Sequence, residues 1–400
     1  MLMAKELPED LVTQILLCLP VVSLLRFKSV CKSWYALITN QNFITKHLLH
    51  NKNSNTQHLL LTTRDKTIVS TISQETLHIS HTPLPPRYLG IDKKIPVFVV
   101  GSCNGLVCLH DFHEFSVDEN YFYEFHDVIW NPATKETNVI PKSNLRSIIT
   151  PAHYHNRIQA MGFGFDAKTN DYKIIRILAI SDYEGVIQRS EVYSLNSDSW
   201  REVVDGPGYK GLIDMGKCSN GMASWLVDGV GLQILEQYYD YECLEKFVLS
   251  FDMSDEVFLE TAIPDNVRSD SFLTLFVLNE SIGMVESINV GVDEKYFEVT
   301  FHIWSLLKVG IKDSWTRLFT IGPFIEFNDS LGFPLPLGFW KNDTMFIVKS
   351  DGELVLYDPF TKQMTKLQVH GDRESLQLVT YMETLVSVKG GNEFKEQDNC

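Results

Sequence analysis

Residues able to do chemistry are plentiful in this chain, but their spacing points to binding. His110 and His113, and His153 and His155, form close pairs of possible metal ligands. Neither pair has a further ligand in register, and a structural zinc wants four. These histidines are therefore expected in exposed loops. The chain contains no GxxxxGK[ST], HExxH, GxSxG or paired CxxC. The groups that usually cradle phosphate, hold catalytic zinc or attack a carbonyl are thus missing from their usual settings. The many carboxylates single out no catalytic pair. The reading is a protein with no catalytic residue, no metal and no cofactor.

Two stretches combine acids with aromatic rings. Residues 111–127, DFHEFSVDENYFYEFHD, hold six Asp/Glu and no Lys or Arg. Residues 236–245, EQYYDYECLE, hold four acids and three tyrosines. Charges of one sign steer a partner and rings anchor it. Candidate contacts for a basic protein are Glu114, Asp118, Glu119 and Glu124, with Tyr238, Tyr239 and Tyr241. A solvated loop with local packing fits the same letters. The net charge is −16 over 400 residues. Residues 1–50 carry five Lys/Arg and three Asp/Glu, so the remainder stands at −18. Such a body repels nucleic acid and anionic membranes and attracts basic partners, although solubility alone also explains acidity.

Something must position these groups, and two parts of the chain differ in kind. Residues 7–48 read as three short helices. Pro8 sits where a first helical position should be, with Glu9 and Asp10 in the first turn where negative charge suits the helix dipole. Leu11, Ile15 and Leu19 line one stripe, with Val12 and Leu16 beside it. Pro20 stops the helix. Ser29 is placed to cap a third helix carrying Val30, Trp34, Leu37 and Ile38. So much apolar surface on so few residues cannot bury itself, so the stretch must dock on something. An amphipathic hairpin opening a larger domain is the plainer alternative.

Order and spacing of Leu7-Pro8, Ile15-Leu16, Leu19-Pro20, Leu24, Arg26-Phe27 and Val30-Cys31-Lys32-Ser33-Trp34 resemble the F-box. That resemblance implies docking onto a Skp-type adaptor, and through it onto a cullin scaffold. It assigns the adaptor face to Leu7, Pro8, Ile15, Leu16, Pro20, Leu24, Val30, Cys31 and Trp34.

Residues 49–57 are a polar break, and short β-type runs follow between Gly, Asn, Asp and Pro clusters. Five runs end in an aromatic residue and a small turn former: DVIW-N at Trp130, SEVY-S at Tyr193, VLSF-D at Phe251, FHIW-S at Trp304 and LVLY-D at Tyr357. The steps are 63, 58, 53 and 53 residues. Asn, Asp and Ser turn the chain by bonding backbone two residues on. A second strand follows each time. A period of about 50 residues is that of kelch-like blades. Residues 59–79 count as a degenerate first blade without the aromatic mark. The expected fold class is α plus all-β: a three-helix F-box, then a kelch-like β-propeller of about six blades, with the aromatics packed in its core. A β-sandwich with coincidental spacing is the alternative. The expected domains are 1–50, 51–390 and a polar tail at 391–400.

GSCNGLVCL, IWNPATKE, GFGFDAKTNDYKIIRI, EVYSLNSDSWREV, FDMSDEVF and VLYDPFTKQ resemble the F-box-associated domain of plant F-box proteins. RFKSVCKSWYALI, NFITKHL, SWREVVD and ESLQLVTYMETLVSV resemble, within that group, the S-locus F-box proteins of pollen. The resemblance implies a substrate receptor of a Skp–cullin–F-box ubiquitin ligase that binds non-self S-locus ribonucleases in self-incompatibility. Such ribonucleases are commonly basic. A receptor for an unrelated cytosolic substrate is the alternative, and an enzymatic propeller a third reading. No run reads as a membrane span, since Gln14, Pro20, Ser102 and Asn104 break the best candidates. Glu6, Pro8, Glu9 and Asp10 interrupt any signal-peptide core. Seven cysteines in no framework suggest reduced thiols and a cytoplasmic protein.

Overall fold

The computed structural model describes residues 7–53, 58–63, 68–73, 77–85, 97–117, 120–143, 156–182, 185–203, 211–213, 216–231, 244–278, 280–291, 296–327, 334–339, 344–371 and 376–389. Four helices come first: α1 (Glu9–Leu17), α2 (Val21–Phe27), α3 (Lys32–Thr39) and α4 (Gln41–Asn53). The sequence predicted three. The fourth runs through the first half of the expected polar break, because Phe43 and His47 give it a buried side. Asn40 starts it by accepting the Asn42 N–H on its side-chain oxygen (2.8 Å).

After α4 the described elements are β-strands, apart from one 3-10 turn at Lys312–Ser314. Blade 1 holds β1 (His58–Thr63), β2 (Ile68–Ser73) and β3 (Ile79–Pro83). Blade 2 is β4 (Val97–Cys103), β5 (Leu106–Val117), β6 (Asn120–Asn131) and β7 (Glu136–Val139). Blade 3 is β8 (Asn156–Asp166), β9 (Asp171–Asp182), β10 (Gly185–Ser194) and β11 (Ser199–Val203). In blade 4 the first strand is split into β12 (Gly211–Ile213) and β13 (Lys217–Ser219), before β14 (Met222–Gly231), β15 (Leu244–Asp252) and β16 (Phe258–Ala262). Blade 5 is β17 (Phe272–Leu278), β18 (Ser281–Gly291), β19 (Tyr296–Leu306) and β20 (Trp315–Phe327). Blade 6 is β21 (Leu335–Phe339), β22 (Met345–Val348), β23 (Glu353–Asp358) and β24 (Gln363–His370). The last strand, β25 (Leu376–Tyr381), returns to pair with β1 and completes blade 1. Among the described residues the strands thus form six antiparallel sheets. Their first strands touch in sequence around a closed ring, β25 beside β4 and so on to β21 beside β25. The protein is a six-bladed propeller whose ends are joined through strand pairing.

The repeat seen in the letters is the third strand of each blade. Trp130, Tyr193, Phe251, Trp304 and Tyr357 are all buried there. Each lies in the apolar cluster shared with the preceding blade. In four of them the next strand pairs seven residues on, as in Trp130 with Thr137 and Tyr193 with Trp200. The residue five on, Lys135, Asp198, Glu256 or Lys362, takes a positive φ that closes the turn. Blade 1 has the same hairpin: Ile72 pairs Ile79, and Leu77 has φ 56°. Ile72 is therefore the unmarked first member, buried against blade 6. Asn131, Asp252 and Asp358 each accept backbone N–H groups two and three residues on, which is the turn chemistry expected from the sequence.

One apolar cluster fills each of the six blade junctions. Polar ties cross several of them, as from the Val99 N–H to Gln377 and from Trp315 to the Ala262 carbonyl, and two of the ties are built on a buried cation. Lys173, nearly buried, donates to Asp166 (2.6 Å), to Glu256 (2.7 Å) and to the Met253 carbonyl (2.9 Å), joining blade 3 to blade 4. Arg176 joins blade 3 to blade 2 through Glu191 (2.7 Å) and Asp127 (3.2 Å), its guanidinium 3.8 Å from the Trp200 ring centre.

Antiparallel order fixes the two faces. Turns between first and second strands, and between third and fourth, share one face. Turns between second and third strands lie on the other. The helices lead into β1, a second strand, so they enter on the first face, called near below. Among the described residues no helix is long and apolar enough to cross a membrane.

Candidate functional site

Pro8 and Pro20 are the N-caps of α1 and α2, one position earlier than Pro8 was predicted. Neither has an N–H to satisfy, and each carbonyl accepts from the first turn, as Pro8 does from Leu11 (3.0 Å) and Val12 (3.1 Å). The third helix is capped by Cys31, not by Ser29. Ser29 instead donates to the Arg26 carbonyl (2.7 Å) and finishes α2. The exposed Cys31 thiol lies 3.2 Å from the Ser33 hydroxyl. That hydrogen bond, with the Trp34 and Ser33 N–H groups at the helix start, lowers its pKa.

The helices sort their apolar residues onto two sides. Leu16, Val21, Leu24, Ile38 and Phe43 form their own core, which also takes in Leu385 and touches Ala133 of the propeller. Val12, Leu19, Phe27, Trp34 and Leu37 pack around it, Phe27 edge-on to Trp34 with ring centres 5.3 Å apart. Burial lowers the pKa of Lys28, and Glu136 on blade 2 partly offsets it. The other side is bare: Leu7 is 61% exposed, Ile15 53% and Val30 59%, with Leu11, Val22 and Tyr35 exposed as well.

The expected adaptor residues therefore divide. Leu7, Pro8, Ile15, Pro20, Val30 and Cys31 are exposed, and Trp34 is half-buried. Leu16 and Leu24 are not on the outer side at 1% and 0% exposure: they pin the helices together beneath it. Val22 and Tyr35 were not singled out from the sequence. Leu11 was read as part of the Ile15 stripe but not assigned to the adaptor face, although it stands one turn before Ile15.

The described residues of the acidic stretch, 111–117 and 120–127, are two paired strands, not a loop. β5 and β6 pair from Val107 with Trp130 out to Val117 with Asn120, placing His113 opposite Glu124 and Glu114 opposite Tyr123. The last paired residues, Val117 and Asn120, lie toward the far face. The two ends of the stretch are core rather than contact surface. Asp111 is buried and bonded by His126 (3.0 Å), and Asp127 is buried and bonded by His110 (2.6 Å). His110 was expected in an exposed loop; β5 is buried on both faces from Leu106 to Asp111, which puts His110 inside, where Asp127 and Arg176 give it charged company. Asp118, Glu119, Tyr238, Tyr239 and Tyr241 lie outside the described residues, as do His153 and His155. β14 ends and β15 begins on the same far face as the last β5–β6 pair, so the strands flanking both stretches point one way. Cys103, Cys108 and Cys218 are free thiols. Burial pushes Cys103 up to about 12 and Cys218 up to about 11, so they stay protonated. Among the described residues no group of three His, Cys, Asp or Glu is arranged to hold a metal.

A helical unit with one side seated on a six-bladed propeller and the other side bare defines a class: a small docking module carried on a β-propeller. Comparison with known proteins gives the class its family. The F-box domain model matches residues 5–46, and the F-box associated beta propeller domain model matches residues 52–388. The chain belongs to the F-box proteins with an F-box associated β-propeller. An F-box protein of Arabidopsis thaliana is 27% identical over 409 residues, covering 92% of this chain and 88% of its own length. An F-box/kelch-repeat protein of the same plant is 26% identical over 343 residues, covering 80% of this chain and 81% of its own. A third Arabidopsis relative is 30% identical over 260 residues, and that match spans 64% of this chain and 61% of the relative.

Proposed function

We propose that this protein is the substrate-receiving subunit of a Skp–cullin–F-box ubiquitin ligase. In this reading residues 1–50 hold a Skp-type adaptor, residues 51–390 hold the substrate, and 391–400 are a polar tail. The observation that carries it is the bare side of the helices. Leu7, Ile15 and Val30 stay more than half exposed on a unit whose opposite side is fully packed. Large apolar side chains left together in water mark a surface meant for a partner. Pro8, Pro20 and Cys31 complete the face. The chain carries no catalytic step here; ubiquitin transfer belongs to the partner enzymes, in the cytoplasm.

The substrate we propose is a basic protein, met on the far face. The −18 of residues 51–400 suits such a partner, and the β5–β6 strand pair brings Glu114 and Glu124 to that side. With the resemblance to S-locus F-box proteins, the substrate is a non-self S-locus ribonuclease in a pollen tube. The relatives named above favour a second reading, since their similarity runs along most of the chain without any S-locus link: a plant F-box receptor for an unrelated cytosolic protein. Reconstitution tests both. The full chain with a Skp-type adaptor, a cullin and the ubiquitin enzymes should modify a basic S-locus ribonuclease. Adaptor binding without ribonuclease modification leaves the second reading. Failure to bind any Skp-type adaptor overturns the first and the second alike.

A further inference from the structure

The helical unit is clasped to the propeller rather than tethered. After β25 the chain crosses the near face over residues 382–388. Leu385 enters the helices' core, whereas Val386 and Val388 enter the cluster between blades 2 and 3. Asn131 secures the crossing from blade 2, donating to the Thr384 (3.1 Å) and Val386 (2.8 Å) carbonyls. The turn beneath it needs glycine: a Cβ on Gly105 would lie 2.3 Å from the Met382 carbonyl oxygen and 2.4 Å from Thr384 Cγ2. Residues 382–388 thus have helices on one side and blades on the other.

A polar tie from α4 to this clasp runs through His47, which is completely buried and stacked on Phe43 with ring centres 6.2 Å apart. Nε2 faces the Leu19 carbonyl at 3.0 Å, so Nε2 carries the proton. Nδ1 is then bare and accepts from the Asn51 side-chain amide (3.4 Å). The same amide nitrogen donates to the Glu383 carbonyl (3.2 Å). We propose that His47 makes the clasp acid-sensitive: a proton on Nδ1 sets two donors against each other, the Asn51–Glu383 tie opens, and the helical unit comes loose from the propeller.

Charge around the ring agrees with this. Burial is the main reason the imidazole pKa lies below its ordinary value; the Leu19 carbonyl works against that, His50 on α4 adds to it, and Glu383 on the clasp opposes it. The open form therefore binds the proton more tightly than the closed one. Closure is fully favoured above the ordinary histidine pKa, about 6.5, and is lost as pH falls below it.

Hydrogen exchange on the full chain at pH 7.5 and 5.5, corrected for intrinsic rates, tests the proposal without any adaptor or substrate. In the wild type α4 and residues 382–388 should exchange faster at the lower pH, by up to about tenfold, the ceiling for one linked proton a unit below its ordinary pKa. His47→Gln keeps an Nε2 donor for Leu19 and has nothing to titrate, so its exchange should not change between the two values. Asn51→Leu cuts the tie by another route and should exchange fast at both. Equal wild-type rates at the two values, or an undiminished response in His47→Gln, overturns the proposal. Should His47→Gln fail to fold, the His47 imidazole C–H resonance in the wild type decides: a midpoint below about 6.5 that tracks the exchange supports the latch, and any other midpoint refutes it.

Discussion

Ile15 and Leu16 are neighbours in α1, yet truncating them should fail in opposite ways. Ile15 is 53% exposed on the bare side, and Leu16 is 1% exposed in the helical core. Fully burying such a side chain is worth ~1.5–3 kcal/mol. About half of Ile15 remains to be buried by an adaptor, so Ile15→Ala should cost ~0.8–1.6 kcal/mol of binding, roughly 4- to 15-fold in Kd. Stability of the chain should hardly move. Leu16→Ala opens a cavity among Val21, Leu24, Ile38 and Leu385, and such changes cost ~2–5 kcal/mol of folding. Its binding should weaken only as far as the helices loosen, and should recover at low temperature where they remain formed. Titration calorimetry against a Skp-type adaptor and urea melting of the full chain separate the two effects. Full affinity in Ile15→Ala, or a binding loss in Leu16→Ala with no change in the melt, would show that the two sides of α1 are assigned the wrong way round.

Three further outcomes are expected. Lys173→Met should destabilise the propeller by ~3–5 kcal/mol in urea, because Asp166 stays behind, buried at the blade 3–4 junction without its cation, whereas Glu256 keeps Arg201. Burial acts to raise the Asp166 pKa, but hydrogen bonds from Lys173, Thr169, Ser254 and the Lys168 N–H overcome it and hold the carboxyl well below the usual range. That stabilisation is present above about pH 3.9 and fades in acid, so the variant should show a flatter melt-versus-pH curve there. Gly105→Ala, forced into φ +81° and against the clasp, should speed exchange at residues 382–388 while leaving blades 4 and 5 unchanged; an unaltered clasp would contradict the close fit. Association with a basic substrate should slow markedly with salt, and neutralising Glu114, Asp118, Glu119 and Glu124 together should mimic it, since charge steers encounter more than it holds the complex. A salt-independent on-rate would return the acidity to solubility.

Much of this was legible in the letters, and for a physical reason. A helix period shows that a face is apolar, and a strand ending in an aromatic and a turn former shows a hairpin, because both rest on neighbours within a few residues. Repetition of that hairpin determined the propeller, and the run from Leu7 to Trp34 determined the F-box helices. The tertiary structure alone decided which stripe of α1 faces in. Leu11–Ile15 and Val12–Leu16 are equally apolar, and only the docking of α4 and Leu385 makes the second stripe the buried one. Closure of blade 1 by β25, the carriage of His110 into a buried pair with Asp127, and the seating of His47 under residues 382–388 are of the same kind. In each, the decisive partner is remote along the chain or on a neighbouring strand, with no local pattern to announce it. Local pattern determined what each segment becomes; burial against distant segments decided what each residue then does.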